Sequence, residues 1–162
     1  MKLDQAIEDV QRAEGELAGE LRKIGERHAV EHDLYHLGHT LARRCEAHLE
    51  RLEPFAQRYG APPGPDGAGD GSGLMETLRH KSSELLGRSE LTGMLLLRDL
   101  RNLYLSAQEA ELAWVILAQA AQAVRDRELL LVVSECHQEA EACGKWLRTR
   151  IKDASPQILA AG

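Results

Sequence analysis

Aromatic side chains are scarce in this sequence: Phe, Trp and Tyr together make up 4% of its 162 residues. A core must therefore be built from Leu, Ala, Val and Ile, which suits close packing of helices better than a sheet. Segments in which apolar and polar residues alternate, as in a half-buried strand, are also lacking. These two absences predict an all-α protein, and the length is that of one domain covering residues 1–162.

Other absences narrow the class of protein. The three cysteines, Cys45, Cys136 and Cys143, are odd in number and fall within helical patterns, which argues against a disulfide framework. The first ten residues lack the apolar core of a signal peptide, and no segment approaches the roughly 20 apolar residues that span a bilayer. A net charge of -6 argues against nucleic acid as a partner. We therefore expect a cytoplasmic protein that binds neither nucleic acid nor membrane.

Residues 3–59 predict two long helices folded back on each other. On the first, predicted over 3–28, apolar residues recur in steps of four and three, and Glu14 occupies a position in that stripe. On the second, which should end at 59–60 and kink at Pro54, His48 occupies a stripe position in the same way. If the chain reverses within 28–33, with Asp33 as N-cap, then Glu14 and His48 lie at about the same height.

The rest of the chain predicts a second hairpin. Residues 60–73 have the composition of a flexible Gly/Pro linker, and 74–86 predict a short helix. Long helices follow over 90–125 and 127–153, the last one ending before Pro156. Short turns near Glu31 and Asp126 make each pair antiparallel, and the long connection between the pairs can cross the length of the bundle.

This layout resembles the ferritin-like superfamily of four-helix bundles. The likeness runs through LDQAIEDVQRAEGELAGEL, LGHTLARRCEAHLERLEPF, LYLSAQEAELAWVILAQA and SECHQEAEACGKWL. It implies two hairpins joined by a long crossover, with a short extra helix in it. In metal-binding members of that superfamily, a Glu on the first and third helices and a Glu-x-x-His motif on the second and fourth hold two iron or manganese ions.

The metal motif of that superfamily is incomplete in this sequence, because no Glu-x-x-His is present. Glu14 matches the Glu of the first helix, and Glu111 is the nearest candidate on the third. An unusual iron or manganese site would use these two residues with His48 and one of His137 or Glu141. Alternatively, Glu14 and His48 form a buried polar pair that fixes the register of the hairpin, or hold a single metal ion.

Four histidines, His28, His32, His36 and His39, would form one row if the chain were helical throughout. Such a row can bind zinc, nickel or copper or can sense pH. It continues as Arg43, Glu46 and Glu50, a pattern that is typical of a face in contact with solvent or with the crossover.

Residues 113–118 and 129–133 are apolar on almost all sides. A single bundle buries only one stripe of each helix, so we expect the surplus to form a patch that pairs two copies in a homodimer. The function that we predict is that of a non-enzymatic ferritin-like bundle, without a cofactor, which acts through contacts with protein partners that the sequence does not identify. The alternative is a protein that binds iron or manganese through carboxylates.

Overall fold

A computed structural model describes residues 2–64 and 89–161 of the chain. Over these ranges the chain forms four helices: α1 (Leu3–Arg27), α2 (His32–Tyr59), α3 (Ser89–Ala123) and α4 (Arg127–Leu159). No strand occurs in either range, which confirms the all-α prediction. The predicted helix over 74–86, and the part of the linker that follows residue 64, lie outside the described residues.

The two helices of the first hairpin pack closely and run antiparallel. Glu14 on α1 contacts His48 on α2, whereas the later Leu21 on α1 faces the earlier Gly38 on α2. A Cβ atom added at Gly38 would lie 2.9 Å from the carbonyl oxygen of Leu21, so the two backbones can approach this closely only at a glycine.

Helix α1 also packs antiparallel to α3. Arg12 bonds Glu109 near one end of the contact, and Arg27 bonds Asp99 near the other. The antiparallel pairs α3–α4 and α2–α4 complete the bundle. The contacts that define these two pairs are Gly93 with Ile158, Glu111 with His137, Asp33 with Arg150 and Arg51 with Glu135.

The apolar stripes predicted from the sequence are the buried faces of the helices. On α1 every stripe position, including Glu14, is buried, and on α2 burial extends from Leu34 to Phe55 and includes His48. A single core of buried residues from all four helices results. None of the helices in the described ranges is both long enough and apolar enough to cross a membrane.

The predicted helix boundaries hold at most ends. The first turn lies at residues 28–31, and Gly60 ends α2 in the left-handed conformation, with a φ of 75°. Helix α2 continues through Pro54. The prediction of Asp33 as the N-cap is wrong, because the cap position is occupied by Glu31 and α2 begins two residues earlier than predicted. The Asp33 carboxylate instead bonds Arg150 of α4 at 2.7 Å.

The predicted end of α4 before Pro156 is also wrong, because the helix continues to Leu159. A proline removes one backbone hydrogen bond from a helix interior. Packing offsets that loss here, since Ala154 is buried and Ile158 lies against Gly93 of α3. Apolar contacts with the neighbouring helix therefore hold the last turn in place.

Candidate functional site

The centre of the bundle contains a buried carboxylate and a buried imidazole. Glu14 of α1 is 1% exposed and His48 of α2 is 3% exposed. The His48 Nδ1 atom lies 3.1 Å from the Glu14 Oε1 atom. Because the first turn is short and the two helices are antiparallel, the two polar positions in otherwise apolar stripes lie side by side.

Trp114 of α3 closes this centre from a third side. Its indole Nε1 donates a hydrogen bond of 2.5 Å to Glu14 Oε1, and its ring meets the His48 ring edge to face at 5.8 Å between centroids. The second oxygen of Glu14, Oε2, is buried without a hydrogen-bond partner among the described residues. The sequence pattern identifies Trp114 only as a core residue. Because a buried indole N–H needs a hydrogen-bond acceptor, its burial could have predicted a polar partner nearby.

A second carboxylate lies on the other side of the imidazole. The His48 Nε2 atom lies 3.0 Å from Glu139 Oε2 on α4, and Glu139 in turn lies 3.5 Å from Arg44. Unlike Glu14, the Glu139 side chain is 46% exposed. His48 therefore connects a fully buried carboxylate to one that reaches solvent.

Both ring nitrogens of His48 face carboxylate oxygens, which is the geometry of a protonated imidazole that donates two hydrogen bonds. Burial alone lowers the pKa of His48, but the hydrogen bonds and charges of Glu14 and Glu139 outweigh burial and raise that pKa above its usual value. The direction of this shift agrees with the geometry, and both favour the protonated form of His48 between Glu14 and Glu139.

The three cysteines are free and buried near this centre. Burial and the charge of Glu14 raise the pKa of Cys45 far above its usual range. Burial also raises the pKa of Cys136 to about 11 and that of Cys143 to about 12. These thiols are therefore protonated at neutral pH, and a protonated thiol is neither a good nucleophile nor a metal ligand.

The remaining predicted site residues form a separate group between α3 and α4. His137 Nε2 lies 3.7 Å from Glu111 Oε1, too far for a hydrogen bond. Glu141 pairs instead with Lys145 at 3.0 Å, and that pairing lowers its pKa. Among the described contacts, none joins Glu111, His137 or Glu141 to Glu14 or His48.

Of the five predicted site residues, the structure thus brings Glu14 and His48 together and places the other three elsewhere. Glu139, which was not among them, occupies the position beside His48. The antiparallel register of α2 and α4 sets this pairing, and a single helix pattern does not reveal which residue of α4 lies at the height of His48.

An iron or manganese ion would need several nitrogen and oxygen ligands around one point. Glu14, His48 and Glu139 are suitable types, and the free Glu14 Oε2 atom could accept a ligand bond. However, both nitrogens of His48 and one oxygen of Glu14 are already engaged. In the described part of the chain, no group of three or more His, Cys, Asp or Glu side chains is arranged to hold a metal ion.

A second buried ion pair lies at the C-terminal end of α1. Asp99 of α3 is buried, and its Oδ2 atom lies 2.9 Å from His28 Nε2 and accepts a hydrogen bond from Arg27 at 2.8 Å. Burial raises the pKa of Asp99, but the hydrogen bonds from these two residues outweigh burial and lower it overall. Asp99 interrupts the apolar face of α3 next to Leu100, and this is the sequence signal that would have identified it.

The predicted histidine row is divided in the structure. His28 is buried against Asp99 in the turn, whereas His32 and His36 are exposed at the start of α2 and His39 is half-buried. The ring of Tyr35 meets the rings of His36 and His39 edge to face, at 5.1 and 4.8 Å between centroids. The turn at 28–31 lies within the reversal predicted at 28–33. It separates His28 from the other three histidines, so the row of four that a continuous helix would give does not form.

The chain has no match among protein-family models, curated proteins or solved structures. No role can therefore be transferred to Glu14 or His48 from a relative, and their chemistry follows from their contacts. Two surface clefts lie between α3 and α4 and between α1 and α3, and neither is lined by Glu14 or His48. The centre can hold a proton and fix the packing of four helices, but these clefts bring no substrate to it.

Proposed function

We propose that this protein is a ferritin-like helical bundle which is not an enzyme and acts through contacts with other proteins. The observation that carries this proposal is the enclosed Glu14–His48 pair, whose imidazole is already bonded on both sides. A polar pair in this state is suited to structure rather than to turnover.

The ferritin-like order is supported by the directions of the packed helices. Because α1 is antiparallel to both α2 and α3, those two helices run in the same direction. The end of α2 and the start of α3 therefore lie at opposite ends of the bundle, which supports a connection that returns along its length, as a crossover does. The free, buried thiols of the chain agree with a reducing compartment, and we propose the cytoplasm.

The structural role of the buried pair follows from the energy of burying charge. If α1 slid by one helical turn against α2, the Glu14 carboxylate would lose His48 and Trp114 and remain buried. Leaving one member of a buried ion pair without its partner costs about 3–5 kcal/mol. The pair therefore disfavours wrong registers of the hairpin more strongly than a continuous apolar stripe would.

The alternative is an iron- or manganese-binding protein. It is favoured by one observation, the Glu14 Oε2 atom that is buried without a partner. In that alternative, Glu14, His48 and Glu139 would supply ligands, and Glu139 would replace Glu111, His137 and Glu141 of the sequence prediction.

Elemental analysis of untagged protein from iron- and manganese-supplemented medium separates these functions. A histidine tag must be avoided because it binds transition metals itself. We expect far less than one metal ion per chain in the wild type. Near-stoichiometric metal that is lost in Glu14→Gln but kept in the matched variant Glu111→Gln would overturn the proposal in favour of the alternative, and loss in both variants would indicate the site predicted from the sequence.

A further inference from the structure

The outer face of α3 carries an exposed line of apolar side chains. Leu105, Leu112 and Ile116 are 55%, 59% and 54% exposed, and their spacing of seven and four residues places them on one side of the helix. Val115 borders this line and is also exposed. Contiguous apolar patches larger than a few hundred Å² are rare on monomers and mark sites of interaction.

A groove runs beside this line, between α3 and α1. It has a volume of about 130 Å³ and lies between the small residues Ala6 and Ala113, with Leu112 and Ile116 on its α3 side. A cavity of about 150 Å³ is large enough for benzene, so this groove can accept a branched aliphatic side chain. A projecting apolar side chain and a groove that fits one thus lie on the same surface.

The rim of the groove carries charges of both signs. Arg12 bonds Glu109 at 3.1 Å and Asp9 at 3.4 Å, and all three side chains are about half exposed or more. A partner with charges of one sign would be repelled by part of this rim. A second copy carries the same mixture of charges, so each copy offers an arginine and carboxylates that can pair with the opposite charges of the other.

We propose that this surface, which we name the α3 face (Leu105, Leu112, Val115, Ile116 and the groove beside them), binds a second copy of the same chain. A two-fold interface uses the same patch on both copies, and the α3 face has the three features this requires: a projecting side chain, a groove and a rim of mixed charge. The inference rests on the proposed function, because it names the first of the protein contacts.

The α3 face overlaps the interface expected from the sequence and extends it along α3. Within 113–118, Ala113, Trp114 and Leu117 point into the core, and within 129–133 Leu129 and Val133 do so. Val115, Ile116 and Leu131 in these two segments stay exposed, and exposed apolar residues continue along α3 to Leu105. The interface is therefore centred on the middle of α3.

The oligomeric state of the full chain tests this inference. Sedimentation equilibrium should show a wild-type dimer, and Leu112→Glu/Ile116→Glu should raise the dissociation constant by more than about 30-fold, as loss of a central contact does. The matched control is Leu159→Glu, because Leu159 is 62% exposed at the far end of α4 and should leave the dimer intact. Circular dichroism checks that each variant is folded.

A wild type that sediments as a monomer at millimolar concentration would overturn the inference, and so would a folded double variant that remains dimeric. If the double variant does not fold, the Tm of the wild type still tests the inference. The Tm of a dimer rises with protein concentration, so a Tm that is independent of concentration would contradict it. Metal content measured on the same samples keeps the outcomes apart. A metal-free monomer would contradict only the proposed dimer. A dimer that contains metal would contradict only the proposed function.

Discussion

The two hairpins distribute polar and apolar residues in opposite ways. Over Leu3–Arg27 and His32–Tyr59, no large apolar side chain is exposed, and the buried stripes contain Glu14 and His48. Over Ser89–Ala123 and Arg127–Leu159, several large apolar side chains are exposed. These are Met94, Leu105, Leu112, Val115, Ile116, Leu131 and Leu159.

The difference assigns separate tasks to the two hairpins. Helices α1 and α2 have about as much apolar surface as one bundle can bury, and their buried polar pair defines which packing is correct. Helix α3 has more apolar surface than the bundle uses, and the surplus faces outward. We infer that the first hairpin determines the register of the fold and that the second provides its contact surface.

The largest expected effect comes from breaking the buried pair of the first hairpin. His48→Leu leaves the Glu14 carboxylate buried without its imidazole, and we expect it to lower the free energy of unfolding by about 3–5 kcal/mol. Glu14→Leu/His48→Leu removes both polar groups and makes the two stripes continuously apolar, so the double variant should recover most of this loss. Urea unfolding of the single and double variants gives the coupling between the residues; purely additive losses would contradict the role of the pair.

The close approach of α1 and α2 can be tested at Gly38. Gly38→Ala places a Cβ atom 2.9 Å from the backbone oxygen of Leu21, and we expect a loss of about 1–3 kcal/mol from overpacking. Gly19→Ala is the matched control, since a Cβ atom there meets nothing within 4 Å, and it should stabilise α1 by about 0.5–1 kcal/mol. Equal effects of the two variants in thermal unfolding would show that helix propensity, not helix contact, dominates.

The turns of the two hairpins also differ, and this difference predicts a smaller effect. Asp126 accepts a hydrogen bond from the Leu129 N–H at 3.0 Å and caps α4, whereas Glu31 makes no side-chain cap at the start of α2. Asp126→Ala should therefore cost about 1 kcal/mol. Glu31→Ala should cost less, because it removes only a partly exposed pair with Arg150. A larger loss for Glu31→Ala in urea unfolding would reverse this ranking of the turns.

The free energy of unfolding should also depend on pH. The contact of His48 with Glu14 and that of His28 with Asp99 should affect it in different pH ranges. The folded-state pKa of His48 is raised, so its contribution is complete below the unfolded pKa, about 6.5, and is lost as the pH rises through the folded value. The folded-state pKa of Asp99 is lowered, so its contribution is present above the unfolded value, about 3.9, and is lost as the pH falls through the folded value.

Each contribution can be removed by one substitution with a residue that does not titrate. His48→Gln should flatten the decline of unfolding free energy on the alkaline side, and Asp99→Asn should flatten the decline on the acidic side. Chemical denaturation between about pH 2 and pH 9 measures both slopes, because the acidic decline lies below the unfolded pKa of Asp99. Alkaline slopes that are unchanged in His48→Gln would show that another group titrates there.

Helix formation could be predicted in detail because it depends on local spacing. The stripe from Leu3 to Ile24 is buried as its spacing requires, and Gly60 ends α2 as its conformational freedom allows. The predicted end of α4 before Pro156 was wrong because that prediction also used only local information. A proline locally favours the end of a helix, whereas the contact of Ile158 with Gly93 joins distant residues and does not show in a local pattern.

The sequence by itself determined that the chain is helical, where its turns lie, and that Glu14 and His48 interrupt apolar stripes, since these properties follow from spacing along one or two neighbouring helices. Only the tertiary structure decided that Trp114 and Glu139 complete the polar centre and that His28 pairs with Asp99. These three contacts join residues more than 70 positions apart in the chain. The separation of Glu111, His137 and Glu141 from the polar centre was likewise decided by the tertiary structure. Their pairing depends on the relative height and rotation of packed helices, which close packing of the whole core sets.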